Sequence, residues 1–370
     1  MLTKFSVSNF KSFNTEFTFD LQDTNGYAFN KESIKNGVVN NAIVYGYNGI
    51  GKSNLGLAIF DIIGHLTDNN KNTYQYSSYL NALNKSDTAT FKYEFLFDTT
   101  KVVYEYRKTD SKSIISEELS INGKKLAYIN RDINNTAVVR FKGAENLKTE
   151  LIDKELSLIK YIKNNSILDT NTENIAFIRF LKFVEGMLFF RSLTDNMYLG
   201  LETGSQIVVE DIIEKNNVKD FERFLNQAHV DCKLTVVKAI DNDILAFDFN
   251  GKTISFDQIA SQGTKSLALF YFWLQRLKEE SKVPFVFIDE FDAFYHHELS
   301  ALIVEELKKT GVQFILTTHN TSIISNDILR PDCYFLMKKD SIKALSKYTS
   351  KELREAHNIE KMYKAGSFNG

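Results

Sequence analysis

A glycine-rich segment between residues 46 and 53 has the residue types and spacing that bind phosphate. It reads G-Y-N-G-I-G-K-S, follows an apolar run over residues 42–45 and precedes a second, helix-like apolar run. A strand, a G-x-x-x-x-G-K-[ST] loop and a helix form the phosphate-binding P-loop. The alternative, a glycine-rich turn before a Lys-Ser pair, is disfavoured because the flanking strand and helix are those that the motif needs.

The P-loop pattern predicts a nucleoside triphosphate site. Its glycines let successive backbone N–H groups turn around an anion, and the helix that follows points its positive end at the same anion. Lys52 can then reach the β- and γ-phosphates, and Ser53 can offer its hydroxyl to Mg²⁺. The residues expected to contact the nucleotide are Gly46, Asn48, Gly49, Gly51, Lys52, Ser53 and Asn54.

An apolar run over residues 284–288 ends in two carboxylates, Asp289 and Glu290. In P-loop enzymes we expect such a strand to lie beside the P-loop strand, where its terminal aspartate completes the Mg²⁺ shell. Asp289 therefore joins Ser53 as a predicted metal ligand. Glu290 is placed to orient the attacking water and to accept its proton. The alternative is a strand that ends in surface acids, and the P-loop upstream favours the catalytic interpretation.

His319 ends another apolar strand, one helix and one strand after the carboxylate pair. A histidine at a strand end can be purely structural. At this separation from Asp289 and Glu290, however, a neutral imidazole could hydrogen-bond the γ-phosphate and report its presence. We therefore predict that His319 belongs to the catalytic site.

Ser261, Gln262, Gly263 and Thr264 stand at the start of a helix predicted over residues 264–280. Serine and glycine at this position can serve as an N-cap and a flexible turn. They also form a second anion site, because a hydroxyl, backbone N–H groups and the helix dipole meet there. One nucleotide does not need two such loops. We therefore expect this loop to close over the γ-phosphate held by the P-loop of a neighbouring subunit.

Composition sets only broad limits on the class of protein. The chain has 370 residues, of which 43% are hydrophobic, enough for one large domain or two with a sizeable core. A net charge of −2 gives no overall attraction to nucleic acid or to anionic membranes. Cys232 and Cys333 lack metal-ligand spacing, and no apolar run approaches the ~20 residues that span a bilayer. We expect a cytoplasmic protein without membrane contact.

The order of patterns along the chain predicts an α/β fold with a largely parallel sheet. Residues 1–140 contain strand patterns, the P-loop and a β-meander that turns at Asn122-Gly123. Residues 141–232 show helical periodicity, including a helix over 175–190, and are interpreted as an inserted helical subdomain. Residues 233–370 return to alternating strands and helices. Ligands of such a sheet bind at the C-terminal ends of its strands.

With these four elements in this order, the chain resembles the ATP-binding-cassette superfamily, specifically its RecF/SMC-like soluble branch. The segment N-F-K-S-F at 9–13 looks like the opening of that branch, and S-Q-G-T at 261–264 matches the signature loop, with Gln262 in place of the usual middle glycine. The segment 289–296 matches the Walker B strand and D-loop. Among members of this branch, the chain looks most like AAA-type ATPases of bacterial abortive-infection and other phage-defence systems. The features that carry this resemblance are Thr264 in the signature loop, His296 in the D-loop and the tail at 363–368.

This resemblance implies an ABC-type P-loop NTPase domain with an N-terminal antiparallel β-subdomain and the helical insert. It implies that the protein binds ATP and Mg²⁺, hydrolyses ATP slowly or under regulation, and forms a homodimer or a higher even oligomer. Asp292 and His296 fall in the D-loop of the family, and Gln75 is a candidate for its Q-loop. About 50 residues follow His319, too few for the Toprim nuclease domain of some relatives, so we expect no intrinsic nuclease.

Three functional hypotheses follow. The first is an ATP-driven switch that dimerises around ATP, senses a nucleic-acid or phage-protein trigger, and controls a separate effector such as a nuclease or toxin. The second is a RecF-like DNA-binding repair or recombination ATPase. A third is a nucleotide-bound scaffold that hardly turns over, which Glu290 and His319 disfavour. The complete hydrolysis site without effector chemistry in the chain favours the first.

Overall fold

The structure is a computed structural model that describes residues 1–68, 76–191, 198–200, 208–238, 242–279, 282–293 and 297–368. A seven-stranded sheet at its centre carries the P-loop. In spatial order its strands are β12 (Tyr198–Gly200), β11 (Leu188–Arg191), β16 (Phe285–Asp289), β17 (Gln313–Thr318), β5 (Asn41–Tyr45), β18 (Tyr334–Lys338) and β19 (Ser341–Ala344).

The inner strands of the central sheet run parallel, from β11 across to β18, whereas β12 and β19 pair antiparallel at the edges. Every residue of β5, β16 and β17 is buried, as expected for strands that are covered on both faces. The C-terminal ends of these three strands meet at one edge of the sheet. The P-loop, the carboxylate pair and His319 follow them there.

A second seven-stranded sheet is entirely antiparallel and confirms the predicted β-subdomain. Its strands alternate between buried and partly exposed residues, because one face packs on the core. Asn122 and Gly123 both have positive φ at the predicted hairpin turn. In spatial order the strands are β10 (Val138–Val139), β9 (Lys124–Asn130), β8 (Ile114–Ile121), β7 (Thr100–Lys108), β6 (Ala89–Phe97), β1 (Leu2–Ser8) and β2 (Phe17–Asp20).

Two small antiparallel sheets and the helices complete the described fold. The small sheets are β3 (Ile34–Lys35) with β4 (Val38–Val39), and β13 (Leu234–Val237) with β14 (Ile244–Phe249) and β15 (Lys252–Ser255). The helices are α1 (Lys52–Phe60), α2 (Ile63–Leu66), α3 (Leu158–Asn165), α4 (Thr172–Glu185), α5 (Val208–Glu214), α6 (Val218–Gln227), α7 (Phe256–Ile259), α8 (Gln262–Lys278), α9 (His297–Thr310) and α10 (Ile359–Lys364).

The predicted helical insert over 141–232 contains α3 to α6, but it also supplies two strands, β11 and β12, to the central sheet. The helix predicted over 175–190 was wrong at its C-terminal end, because α4 stops at Glu185 and β11 begins at Leu188. β11 pairs in parallel with β16, and Arg191 lies opposite Asp289 in the register. The apolar residues between 175 and 190 are therefore divided between the helix α4 and the buried strand β11.

The order of strands also corrects one expectation. We expected the strand that ends in Asp289 to lie beside the P-loop strand, but β17 lies between β5 and β16. Strand order depends on pairing between distant segments, which local residue patterns do not determine. Asp289 therefore reaches the P-loop from two strands away.

The P-loop helix is packed tightly on the central sheet and linked to the antiparallel sheet. A Cβ on Gly56 of α1 would lie 2.6 Å from the Phe189 ring and 2.7 Å from the Phe287 ring, so only glycine allows this approach. Directly after α1, the buried carboxylate of Asp61 pairs with Lys108 of β7 at 2.8 Å. The helix thus connects the two large sheets.

Across the part of the chain that the structure describes, no helix is both long and apolar enough to span a membrane.

Candidate nucleotide-binding site

The P-loop has the backbone shape that its sequence predicts. It leaves β5 after Tyr45 and enters α1 at Lys52, and both Gly49 and Gly51 have positive φ. A Cβ on Gly51 would lie 2.5 Å from the hydroxyl oxygen of Ser12, in the opening segment N-F-K-S-F. The Asn54 amide donates to the same hydroxyl at 3.0 Å. The opening segment thus supports the phosphate-binding loop from one side.

Lys52 lies folded over the loop, with its ammonium group close to His319. Its Nζ donates to the Gly46 carbonyl at 2.9 Å and lies 2.8 Å from His319 Nε2. Burial lowers the pKa of Lys52, whereas the carboxylates of Asp289 and Glu290 act to raise that pKa. The ammonium therefore sits where the P-loop, β16 and β17 converge, as expected for a group that binds phosphate.

Asp289 is fully buried and bonded through both carboxylate oxygens. Oδ1 accepts a hydrogen bond from the Thr317 hydroxyl at 2.7 Å, and Oδ2 accepts one from Nε of Arg191 at 2.8 Å. Nη2 of Arg191 also donates to the Ser53 hydroxyl at 2.9 Å. One guanidinium therefore bridges the two predicted Mg²⁺ ligands.

These residues fit a magnesium ion by the chemistry of their donor atoms. Mg²⁺ binds oxygen ligands, commonly one or two protein groups together with substrate phosphates and water. Ser53 offers a hydroxyl and Asp289 a carboxylate, and both already interact with one positive group. Ser53 and Asp289 are the residues that would hold the ion.

Glu290 occupies a backbone conformation that is uncommon for a residue with a side chain. Its φ is 50°, and its N–H donates to the Thr317 hydroxyl at 2.8 Å. Such left-handed conformations carry strain and cluster at active sites. Glu290 Oε1 lies 3.9 Å from His319 Nε2, so the carboxylate faces the same space as the Lys52 ammonium and the imidazole.

Burial and the neighbouring Lys52 ammonium lower the pKa of His319 from 6.5, although Glu290 and Asp289 act in the opposite direction. The imidazole is therefore neutral at neutral pH and can accept the Lys52 hydrogen bond. We predict that an NMR titration of the nucleotide-free protein places the His319 midpoint below 6.5, and that Lys52→Ala raises it. Because the unfolded chain takes up this proton at higher pH, the titration costs stability as pH falls below 6.5.

His319→Gln supplies the control for that titration, because it removes the resonance and so assigns it. A midpoint at or above 6.5 in the wild type, or one that Lys52→Ala leaves unchanged, would contradict the prediction.

Of the predicted D-loop residues, the structure describes Asp292. Its carboxylate points inward and accepts hydrogen bonds from the Thr318 hydroxyl at 2.7 and 2.8 Å. Burial raises its pKa, while these hydrogen bonds act to lower it. Asp292 thus ties the turn after β16 to the end of β17. His296 and the Q-loop candidate Gln75 lie outside the described residues.

The Ser261 loop caps α8, which begins at Gln262 rather than at Thr264. The Ser261 hydroxyl accepts from the Thr264 N–H at 3.1 Å and lies 2.9 Å from the Thr264 hydroxyl. Ser261 and Gln262 are exposed, and Gly263 is half-buried. Among the described residues, no hydrogen bond of these side chains reaches the P-loop of the same chain.

Sequence reasoning missed three side chains that hold the site together. Thr317 and Thr318 are consecutive on β17, and strand geometry sends their hydroxyls to Asp289 and Asp292 respectively. The sequence signal for these two contacts was the pair of threonines directly before His319. Arg191 was missed because its segment was interpreted as helical, although an arginine that ends an apolar run could have indicated a strand terminus.

A cavity of about 560 Å³ lies beside the P-loop and the C-terminal segment. Its lining includes Tyr47, Asn48 and His319, together with Tyr363 and Phe368. The tail whose sequence resembles that of defence ATPases therefore lies next to the predicted phosphate site.

Solved structures to which the chain is similar include three heads of SMC proteins. One is the SmcHead bound to the C-winged helix domain of ScpA, with 16% identity, a TM-score of 0.47, and coverage of 94% of this chain and 98% of the other. The SMC head domain from Thermotoga maritima has 16% identity, a TM-score of 0.44, and coverage of 93% and 98%.

The third is the Smc head domain with an extended coiled coil bound to the C-terminal domain of ScpA derived from Pyrococcus furiosus. It has 12% identity, a TM-score of 0.45, and coverage of 94% of this chain and 97% of the other. The comparison with curated protein sequences finds no match.

A family model described as "AAA domain, putative AbiEii toxin, Type IV TA system" matches residues 42–325. The matched range extends from the P-loop strand past His319 and covers more than half of the chain. It includes the Lys52, Asp289 and Glu290 positions described above. The predicted resemblance to AAA-type ATPases is thereby confirmed, and the chain belongs to this AAA-domain family.

Proposed function

We propose that this protein binds Mg·ATP and hydrolyses it at the cluster of Lys52, Ser53, Asp289, Glu290 and His319. The observation that supports this most directly is their convergence on the P-loop from the ends of two neighbouring strands. Lys52 lies 2.8 Å from His319, and His319 lies 3.9 Å from Glu290. Phosphoryl transfer to water uses a cation that binds the phosphates and a residue that orients the attacking water, and a neutral imidazole beside them can hydrogen-bond the γ-phosphate.

In this reaction a water oxygen attacks the γ-phosphorus, and the bond from that phosphorus to the β–γ bridging oxygen breaks, which releases ADP and phosphate. Glu290 would accept the proton of the water. Lys52 would exchange its contacts with Gly46 and His319 for phosphate oxygens, and His319 would donate to the γ-phosphate. Mg²⁺, held by Ser53 and Asp289, would neutralise charge on the phosphates when bound.

The proposed active form is a head-to-tail dimer, or a higher even oligomer built from such dimers. The Ser261 loop is a capped helix start with exposed residues, and it makes no side-chain hydrogen bond to its own P-loop among the described residues. A helix N-terminus with an exposed serine is suited to a γ-phosphate bound by another subunit. Two copies related by a two-fold axis would then enclose two ATP molecules.

The proposed biological role is that of the regulatory ATPase of a bacterial defence module. The description of the matching family names an AbiEii toxin and a type IV toxin–antitoxin system, which supports a link to abortive infection. We propose that the dimer responds to a phage-derived trigger and controls a separate effector, such as a nuclease or a toxin, through the segment at 141–232.

Mixing two inactive variants tests the shared site. Lys52→Ala removes the phosphate-binding cation, and Ser261→Arg places a bulky side chain on the loop that would cap the ATP of the partner. Each variant alone is expected to release little phosphate. An equal mixture is expected to recover about a quarter of the wild-type rate, because half of random dimers are mixed and each holds one intact site.

The control for this experiment is a mixture of Lys52→Ala with Glu290→Gln. Lys52 and Glu290 of one chain act on the same nucleotide. Each site of a mixed dimer therefore lacks one of these two residues, and no recovery is expected. Ser261→Arg alone as active as the wild type would exclude the proposed role of the Ser261 loop. Two inactive variants whose mixture recovers no activity would exclude a site shared between subunits.

A further inference from the structure

The guanidinium of Arg191 lies between the two residues proposed to hold Mg²⁺. Nε is 2.8 Å from the Asp289 carboxylate, and Nη2 is 2.9 Å from the Ser53 hydroxyl. Arg191 is the last residue of β11, which pairs with β16. This strand carries none of the P-loop, the carboxylate pair and His319. No motif in the sequence assigns a role to it.

Asp289 needs a positive partner when no metal is bound, because its carboxylate is fully buried. Its other hydrogen-bond partner, Thr317, is neutral. Lys52 is bonded to the Gly46 carbonyl and to His319 instead. A buried carboxylate without a counter-charge is strongly unfavourable, so the Arg191 guanidinium supplies the direct compensation.

Arg191 can also leave this position without moving the strand that carries it. It is the last residue of β11, and its side chain is 28% exposed, whereas that of Asp289 has no exposure. Its backbone is fixed by the parallel pairing with Asp289 in the register. Side-chain rotation is therefore enough to release Ser53 and Asp289 together.

We propose that Arg191 is the counter-ion of the metal-free site and competes with Mg²⁺ for Ser53 and Asp289. The guanidinium keeps both ligands in place before nucleotide binds, and it must leave them for the metal to bind. Arg191 thereby lowers the affinity for free Mg²⁺ and makes the arrival of the metal depend on the phosphates that accompany it. The inference rests on the proposed function only for the assignment of Mg·ATP as the ligand.

Thermal unfolding of the full chain without nucleotide tests the competition. In metal-free buffer, Arg191→Ala is expected to lower the unfolding midpoint by about 3–6 °C, because Asp289 loses its counter-charge. Addition of about 10 mM Mg²⁺ is expected to restore at least half of that loss in the variant. The same addition is expected to shift the wild type by less than about 1 °C, because Arg191 holds the ligands.

Three further variants make the result specific. Arg179→Ala removes an exposed guanidinium that pairs with Asp98, and it is expected to leave the response to Mg²⁺ unchanged. Asp289→Asn removes the buried charge, so adding Arg191→Ala to it is expected to cost little. Arg191→Lys keeps the charge but cannot bridge both ligands, so its response to Mg²⁺ is expected to be intermediate, which is informative if Arg191→Ala does not fold.

Equal shifts by Mg²⁺ in the wild type and in Arg191→Ala would overturn the proposal, as would equal midpoints in metal-free buffer. If Arg191→Ala does not fold, a wild-type response of Arg191→Lys to Mg²⁺ would overturn it as well. Because no nucleotide is present, these outcomes do not depend on turnover. Phosphate release by the wild-type protein tests the proposed hydrolysis separately.

Discussion

Glu290→Gln is expected to reduce steady-state phosphate release by about 10²–10⁴-fold, because the amide cannot accept the proton of the attacking water. Glutamine has nearly the same shape as glutamate, and the N–H of residue 290 would still donate to Thr317. ATP binding is therefore expected to persist, since Lys52 and the P-loop are unchanged. Release of phosphate is measured alongside the binding of a fluorescent ATP analogue.

The same substitution is expected to trap the dimer. If each Ser261 loop closes over the ATP of the other subunit, blocked hydrolysis keeps both loops engaged, and light scattering shows dimer accumulation with ATP but not with ADP. Glu352→Gln is the control, because Glu352 is an exposed carboxylate paired with Arg354. A monomer–dimer balance that ATP leaves unchanged in Glu290→Gln would count against the shared site.

Asp61→Ala is expected to lower the free energy of unfolding by about 3–5 kcal/mol, because it leaves a buried ammonium without its partner. Lys108 is fully buried, and Asp61 also accepts hydrogen bonds from the hydroxyls of Tyr79 and Tyr106, both at 2.9 Å. Denaturant unfolding followed by circular dichroism measures the loss. This loss of stability is expected although the substitution alters none of the P-loop residues.

Two controls separate the buried pair from ion pairs in general. Glu118→Ala breaks an exposed pair with Lys125 and is expected to cost about 0–1 kcal/mol. Adding Lys108→Met to Asp61→Ala removes the unpaired ammonium and is expected to recover part of the loss. A cost of Asp61→Ala no larger than that of Glu118→Ala would show that the ion pair does not hold the P-loop helix to the antiparallel sheet.

Much of the site follows from the sequence, because its parts are local patterns placed at strand ends. The P-loop spacing, the carboxylates at the end of β16 and the histidine after β17 each required only a short segment to identify. Parallel strands end at one edge of a sheet, which explains why Lys52, Glu290 and His319 meet. Their roles in catalysis stay predictions that the substitutions above test.

The parts that sequence reasoning did not provide depend on contacts between distant segments. The insertion of β17 between β5 and β16 is a matter of strand pairing. The strand that carries Arg191 follows α4 after only two residues, and a short apolar run is compatible with either structure. The proposed placement of the Ser261 loop over a phosphate involves a second chain, and the position of that chain is not determined by any pattern within one chain.

The inner of the two strands that the insert contributes, β11, has a mechanical consequence. β11 shares a ladder of parallel backbone hydrogen bonds with β16, from Leu188 opposite Val286 to Arg191 opposite Asp289. A partner that pulled on this strand would load the same ladder that carries Asp289, the carboxylate proposed to hold Mg²⁺. Tension applied to this strand would thus be borne next to the residues proposed to carry out hydrolysis.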